Sequence, residues 1–306
     1  MREVIKTYNL SKKYKNSDAL LDVSINVKKG DIYGLVGDNG AGKTTLLRIL
    51  AGQSDASSGS FELFSTSNEK ELSEIRKHTG VIIESPSFYP NLTVEKNMEY
   101  YRIQRGIPGK SRVDKALKEV NLYDVKKKKF SQLSLGMKQR LGLALAMMNE
   151  PELLILDEPI NGLDPSGIIE IRNLLLKLNK EKNITIVISS HILLELSNIA
   201  TCYGFLNKGR LVKEISASEL NEKCKSYLEI KVNNVNKLTA LLEEKLGYSD
   251  YKVLPNKVIN IFDINRDPKK ISELIVKNGI ELSSLEEKTI NLENYYMSLM
   301  GGVKNA

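Results

Sequence analysis

Eight consecutive residues, Gly37-Asp38-Asn39-Gly40-Ala41-Gly42-Lys43-Thr44, fit the pattern G-x-x-x-x-G-K-[ST]. Glycines at these positions remove side chains, so backbone N–H groups can turn inward around a phosphate. In that arrangement Lys43 supplies a cation for the β- and γ-phosphates and Thr44 offers a hydroxyl to Mg²⁺. A second cluster follows further along: four apolar residues, Leu153-Leu154-Ile155-Leu156, then Asp157-Glu158-Pro159. Here the spacing predicts a buried strand with carboxylates at its tip. Asp157 would hold Mg²⁺ directly or through water, and Glu158 would polarise an attacking water. Together these residues predict a nucleoside triphosphate site with hydrolytic chemistry.

The elements that must hold these groups are legible nearby. Asp31-Ile32-Tyr33-Gly34-Leu35-Val36 reads as a strand entering the glycine loop. From Thr45 the apolar residues Leu46, Leu47, Ile49 and Leu50 read as a helix whose N-terminal dipole faces the phosphates. Further strands are expected at 4–8, 21–27, 60–63 and 184–188, with a largely helical stretch at 93–125 broken at Gly106–Gly109 around Pro108, a glycine-punctuated turn then a helix within 132–148, and an amphipathic helix at 168–182. Strands alternating with helices predict an α/β fold with a mainly parallel sheet. Near residue 215 the character changes. Strands at 227–232 and 258–262, and helices at 235–246, 268–278 and 292–299, predict a small α+β appendage without recognisable chemistry.

At 306 residues the chain is long enough for about two domains. Its composition, 41% hydrophobic and 27% charged, suits a protein with a sizeable core. The longest apolar run, Leu141 to Met148 with Gly142 inside it, falls far short of the roughly 18 residues a membrane span needs. The opening Met1-Arg2-Glu3-Val4 lacks a signal-peptide core, so a cytoplasmic protein is expected. Cys202 and Cys224 fit no metal spacing and read as structural or incidental thiols. The net charge of +7 is spread among glutamates, with no arginine-rich stretch interleaved with aromatics, so no nucleic-acid partner is expected.

Three more segments complete a pattern. Leu133-Ser134-Leu135-Gly136-Met137-Lys138-Gln139-Arg140 precedes the Asp157 strand, Asn161-Gly162-Leu163-Asp164 follows it, and Ser189-Ser190-His191 follows the next strand. In this order the segments resemble the nucleotide-binding subunit of an ABC transporter, over residues 3 to 215. The resemblance implies a P-loop NTPase fold of the ABC ATPase type, with a mixed sheet core and a helical subdomain at about 88–150. The first domain would be 1–215 and the accessory α+β domain 216–306. It implies that Gly37 to Thr45 bind ATP, with Tyr14 stacking on adenine. It implies that Ser134, Leu135, Gly136 and Met137 form the signature contacting the γ-phosphate held by an opposite subunit. Asn161, Gly162, Leu163 and Asp164 would form the turn coupling the two sites. Glu158 and His191 are the implied catalytic pair, His191 touching the γ-phosphate. The implied assembly is a homodimer closed around two MgATP, driving a separate polytopic permease from the inner face of the cell membrane.

Two departures from the common family pattern narrow the resemblance. The signature reads Leu-Ser-Leu-Gly-Met where Leu-Ser-Gly-Gly-Gln is common, so Leu135 and Met137 are substitutions, while Ser134 and Gly136 remain. After Gly80-Val81-Ile82-Ile83 the family usually places a glutamine. This chain has Glu84, then Ser85-Pro86, and a carboxylate is a stronger ligand for a hard cation than an amide. Glu84 is thus expected to touch Mg²⁺, to couple to the permease, or simply to be tolerated. With Phe88-Tyr89-Pro90-Asn91-Leu92-Thr93, the signature and the terminal Leu292–Tyr296 and Gly301-Gly302, the chain is similar to ATPases of bacitracin-resistance and lantibiotic self-protection exporters. Export of another substrate such as a lipid, sodium or another drug stays open, as does a soluble, non-transport ABC ATPase.

Overall fold

A computed structural model describes residues 2–15, 17–84, 87–224, 226–263, 266–289 and 292–301. Ser85, Pro86 and Gly302, which entered the motif reading, lie outside these residues. The chain divides into two compact units, Met1–Ala217 and Ser218–Ala306.

In the first unit, β1 (Glu3–Tyr14) pairs antiparallel with β2 (Ser17–Val23), β3 (Asn26–Lys28) and β5 (Ser58–Leu63). A second sheet has six strands: β4 (Ile32–Val36), β6 (Thr79–Ile82), β7 (Leu153–Asp157), β8 (Thr185–Ser190), β9 (Cys202–Asn207) and β10 (Arg210–Ser216). Their order is β10-β9-β4-β8-β7-β6, parallel except for β10. Every residue of β4 and β8 is buried. Apolar runs without alternation are what a parallel sheet covered on both faces requires. Helix α1 (Lys43–Leu50) sends Leu46, Leu47, Ile49 and Leu50 into a core shared with Leu10 and Leu20 of the antiparallel sheet and Leu153 and Ile155 of β7. The glycine loop is thereby clamped between rigid layers.

Helix α2 (Glu69–Lys77) leads into β6. After it come α3 (Val94–Gln104), α4 (Ser111–Glu119) and α5 (Leu135–Met147), then α6 (Pro165–Lys182) and the short α7 (Leu193–Leu196). Fully buried Asn97 of α3 organises the approach to that helix. Its amide accepts from the Tyr89 N–H at 2.8 Å and donates to the carbonyls of Tyr89, Leu92 and Thr93 at 3.1, 3.3 and 3.1 Å. A buried amide is tolerated only when satisfied in this way.

Helix α8 (Ala217–Lys223) begins at the division. The second unit continues as β11 (Ser226–Val232), α9 (Val235–Leu241), β12 (Tyr251–Leu254), β13 (Val258–Ile261), α10 (Pro268–Lys277), β14 (Leu282–Thr289) and α11 (Leu292–Gly301). Its sheet is antiparallel with order β12-β13-β11-β14. Alternation in β11 turns Leu228, Ile230 and Val232 toward Leu238, Leu242, Ile271 and Ile275. Cys202 and Cys224 carry free thiols. Burial pushes Cys202 up to about 12 and also raises Cys224.

The structure departs from the sequence expectations in four places. The strand expected over 21–27 is two strands. The Thr7 hydroxyl donates to the Val23 carbonyl and accepts from the Ile25 N–H, both at 2.9 Å, so a side chain replaces the ladder at Ser24. The expected helix 235–246 ends its α-helical turns at Leu241 and closes with a wider turn, Leu242–Leu246, stopped by left-handed Gly247. The stretch 93–125 breaks at Gly106–Gly109 as expected, both glycines at positive φ, but it ends in a 3₁₀ turn at Tyr123–Val125 and not in helix. Strands β6, β9, β10, β12 and β14 and helices α2, α7 and α8 escaped the sequence reading.

Candidate active site

The glycine loop joins β4 to α1, and its glycines answer two different demands. A Cβ at Gly37 would stand 2.4 Å from the Leu206 carbonyl oxygen, and one at Gly42 would stand 2.5 Å from that of Ala19. Gly40 has open space around it but sits at φ 81°, in left-handed backbone that glycine adopts without penalty. Ala41 is buried, whereas Asp38, Asn39 and Gly40 are exposed. Lys43, only 5% exposed, donates to the carbonyls of Gly37 and Asp38 at 2.7 and 3.2 Å. Its ammonium also lies 3.4 Å from a Glu158 carboxylate oxygen. A buried ammonium needs such partners. Thr45, half-buried, follows on α1.

Asp157 and Glu158 sit where β7 ends, beside β8. The Thr44 hydroxyl donates to Asp157 Oδ2 at 2.7 Å, and the Ser189 hydroxyl donates to Asp157 Oδ1 at 2.6 Å. Glu158 adopts φ 45°, a left-handed conformation that costs a non-glycine residue about 1–3 kcal/mol. Its N–H donates to Ser189 Oγ at 2.9 Å. The Glu158 carboxylate receives Asn161 Nδ2 at 3.1 Å and lies 3.1 Å from His191 Nδ1. One carboxylate thus gathers Lys43, His191 and Asn161, while the other gathers Thr44 and Ser189. The Gly37 N–H, donating to the Ser190 carbonyl at 3.4 Å, ties the glycine loop to the His191 segment.

The turn after β7 is built for rigidity. Gly162 takes φ 75°. Asp164 caps α6, accepting from Ser166 Oγ at 2.6 Å and the Gly167 N–H at 3.3 Å, and Pro165 occupies the first turn. Those two hydrogen bonds hold the Asp164 carboxyl below the usual range. Ser134 caps α5, its hydroxyl accepting from the Met137 N–H at 3.3 Å. Leu135 is 49% exposed. Its Cδ2 would be 3.6 Å from a Cβ at Gly162, and Leu163 Cδ2 3.9 Å from one at Gly136. The signature therefore lies beside the 161–164 turn.

The described contacts bring together Lys43, Thr44, Asp157, Glu158, Asn161 and His191. None of them joins the signature, Tyr14 or Glu84 to that group. Tyr14 ends β1, 41% exposed, with Lys12 Nζ 5.3 Å from its ring centroid. Glu84, at φ 65°, is exposed and ion-paired with Arg48 of α1. Sequence reasoning gave no role to Ser189 or Arg48. The sequence marked Ser189 only by its place in Ser189-Ser190-His191, which says nothing of its partner across the sheet.

The residues fit a magnesium nucleotide. The Thr44 hydroxyl and the Asp157 carboxylate are hard oxygen donors 2.7 Å apart, suited to Mg²⁺. The glycine loop at the head of α1 offers backbone N–H groups to phosphate.

A family model for the ABC transporter matches residues 20–161. The chain is 42% identical over 302 residues to the bacitracin transport ATP-binding protein BcrA of Enterococcus faecalis, covering 99% of this chain and 98% of that protein. It is 42% identical over 218 residues to the lantibiotic transport ATP-binding protein SrtF of Streptococcus pyogenes, covering 71% of this chain and 93% of the relative. Among solved structures it resembles the ATP-binding cassette MJ0796 in a dimeric post-hydrolysis state bound to ADP and Pi. The TM-score is 0.62 and the identity 27%, covering 70% of this chain and 98% of that one.

Proposed function

Because the chain belongs to the ATP-binding proteins of the ABC transporter family, we propose that it is the ATPase subunit of a peptide-antibiotic exporter. In this reading two copies close head to tail around two MgATP and drive a separate polytopic permease. The substrate class is bacitracin-like or lantibiotic peptides, supported by the likeness to BcrA over 99% of this chain and to SrtF over 71% of it. The observation that carries the ATPase reading is the convergence on Glu158 of Lys43, Asn161 and His191, next to the Thr44–Asp157 pair.

The chain's own groups divide the work. Backbone N–H groups of Gly37 to Thr45 and the Lys43 ammonium bind phosphate oxygens, and Tyr14 stacks on the base. Thr44 and Asp157 would hold Mg²⁺, and Glu84, paired with Arg48 away from them, would be the contact to the permease. Bound Mg²⁺ neutralises charge developing on the phosphates. Glu158 orients or deprotonates water, its carboxylate held at Oε2 by Asn161 and His191 and at Oε1 by Lys43. His191 also steadies the γ-phosphate. Ser134, Leu135, Gly136 and Met137 reach the nucleotide of the opposite subunit, and Asn161 to Asp164 link the sites. No helix among the described residues is long and apolar enough to cross a membrane, which suits attachment to the inner face of the membrane through the permease.

The test is a tagged purification from detergent-solubilised membranes, paired with peptide-antibiotic sensitivity of cells lacking the subunit. Recovery of a polytopic membrane protein and raised sensitivity to bacitracin or a lantibiotic are expected. Recovery of ribosomes or DNA-bound partners without a membrane protein would overturn the exporter reading.

A further inference from the structure

We infer that Ser189 is a positioning residue that registers the two acidic groups of the site to one buried oxygen. The inference rests on the roles given above to Asp157 and Glu158. Ser189 is fully buried in β8 and lies opposite Asp157 in the parallel register. Its hydroxyl carries one proton, and that proton goes to Asp157 Oδ1 at 2.6 Å. The same oxygen accepts the Glu158 N–H at 2.9 Å. Its one proton and one of its two lone pairs are thus engaged, and at a fully buried position water does not stand in for either partner.

The geometry has a chemical consequence. Asp157 has two oxygens, and Ser189 and Thr44 take one each, which fixes the carboxylate plane. Glu158 is left-handed, so its backbone departs from the strand direction just where the second carboxylate must turn toward Lys43 and His191. The Ser189 oxygen anchors that departure. One hydroxyl therefore sets both the cation-binding acid and the water-binding acid, and a shift in one is felt by the other. His191, two residues further along the chain, closes the loop from β8 back to Glu158.

Ser189→Ala tests this in the full-length protein. Loss of an outer-shell hydrogen bond to a metal-binding or catalytic carboxylate costs about 10- to 100-fold in activity or metal affinity. The expected result is a fall in kcat of that order with KM for ATP little changed, and a higher Mg²⁺ concentration for half-maximal nucleotide binding. Independently of turnover, hydrogen exchange of a peptide covering 153–163 should show faster exchange at the Glu158 amide. Ser189→Thr keeps the hydroxyl and should restore all three readouts. If Ser189→Ala does not fold, Ser189→Cys, with its weakly hydrogen-bonding thiol, should give the same directions. Wild-type kcat and Mg²⁺ dependence in the Ala variant, with or without faster exchange, overturn the inference. A Glu158→Gln control separates the failures: if that variant hydrolyses ATP at the wild-type rate, the reading of Glu158 falls first and takes this inference with it.

Discussion

Glu158 is where the contacts of the site converge, because its carboxylate meets a cation, an imidazole and an amide at once. A positioned general base contributes about 10²–10⁴-fold to rate. Glu158→Gln keeps the shape and removes the charge. It should therefore lower steady-state phosphate release by at least about 100-fold while retaining bound ATP, as measured by phosphate release alongside nucleotide retention on a desalting column. Undiminished hydrolysis would sink the assignment. Lys43 has the complementary role. Hydrogen bonds to charged groups are worth about 1.5–3 kcal/mol, so Lys43→Ala should weaken ATP binding by about 10- to 100-fold in a fluorescent-nucleotide titration. These residues were legible in the sequence because each belongs to a motif with a fixed spacing. Ser189 was not, because its role depends on the register of β7 against β8, and no local pattern reports which residues of two parallel strands stand opposite each other.

The elements around the site carry their own expectations. Gly37 leaves no room for a methyl group beside the Leu206 carbonyl. Gly37→Ala should displace the loop, lowering both the melting temperature and nucleotide affinity. At the head of α6, Asp164 titrates below its ordinary range because Ser166 and Gly167 hydrogen-bond its ionised form. A depressed folded-state value means that its stabilisation is present above the unfolded aspartate value of about 3.9 and is lost as pH falls through the folded value. The melting-temperature gap between wild type and Asp164→Ala should thus be wide near neutrality and narrow in acid. A gap that widened as pH fell would contradict the cap. Long apolar runs such as those of β4, β7 and β8 announced themselves. The half-exposed β10, β12 and β14 did not, since their side chains mix charge and hydroxyl without clean alternation. Their pairing is decided by neighbours far away in sequence.

Taken as a whole, the chain has a mass of chemistry in its first unit and none identified in its second, yet the resemblance to BcrA spans both. The signature and the glycine loop have no described contact within one chain, and Ser134 and Leu135 face outward. In light-scattering measurements, Glu158→Gln with ATP should run as a dimer and without nucleotide as a monomer. A monomer under both conditions would contradict the sandwich. Glu84→Gln should leave nucleotide binding intact, because Glu84 pairs with Arg48 and not with the central cluster, and should alter peptide-antibiotic resistance in cells that carry the permease.

One modest feature has practical reach. The thiolate is the reacting form of cysteine, and burial keeps Cys202, at about 12, and to a lesser degree Cys224, in the thiol form near neutral pH. Alkylating probes should therefore find the native chain a quiet background. A single cysteine placed at exposed Leu135 would take up a maleimide dye in preference to either of them. Fluorescence from that dye could then follow the approach of a second copy in real time, without stripping the protein of its own sulfur.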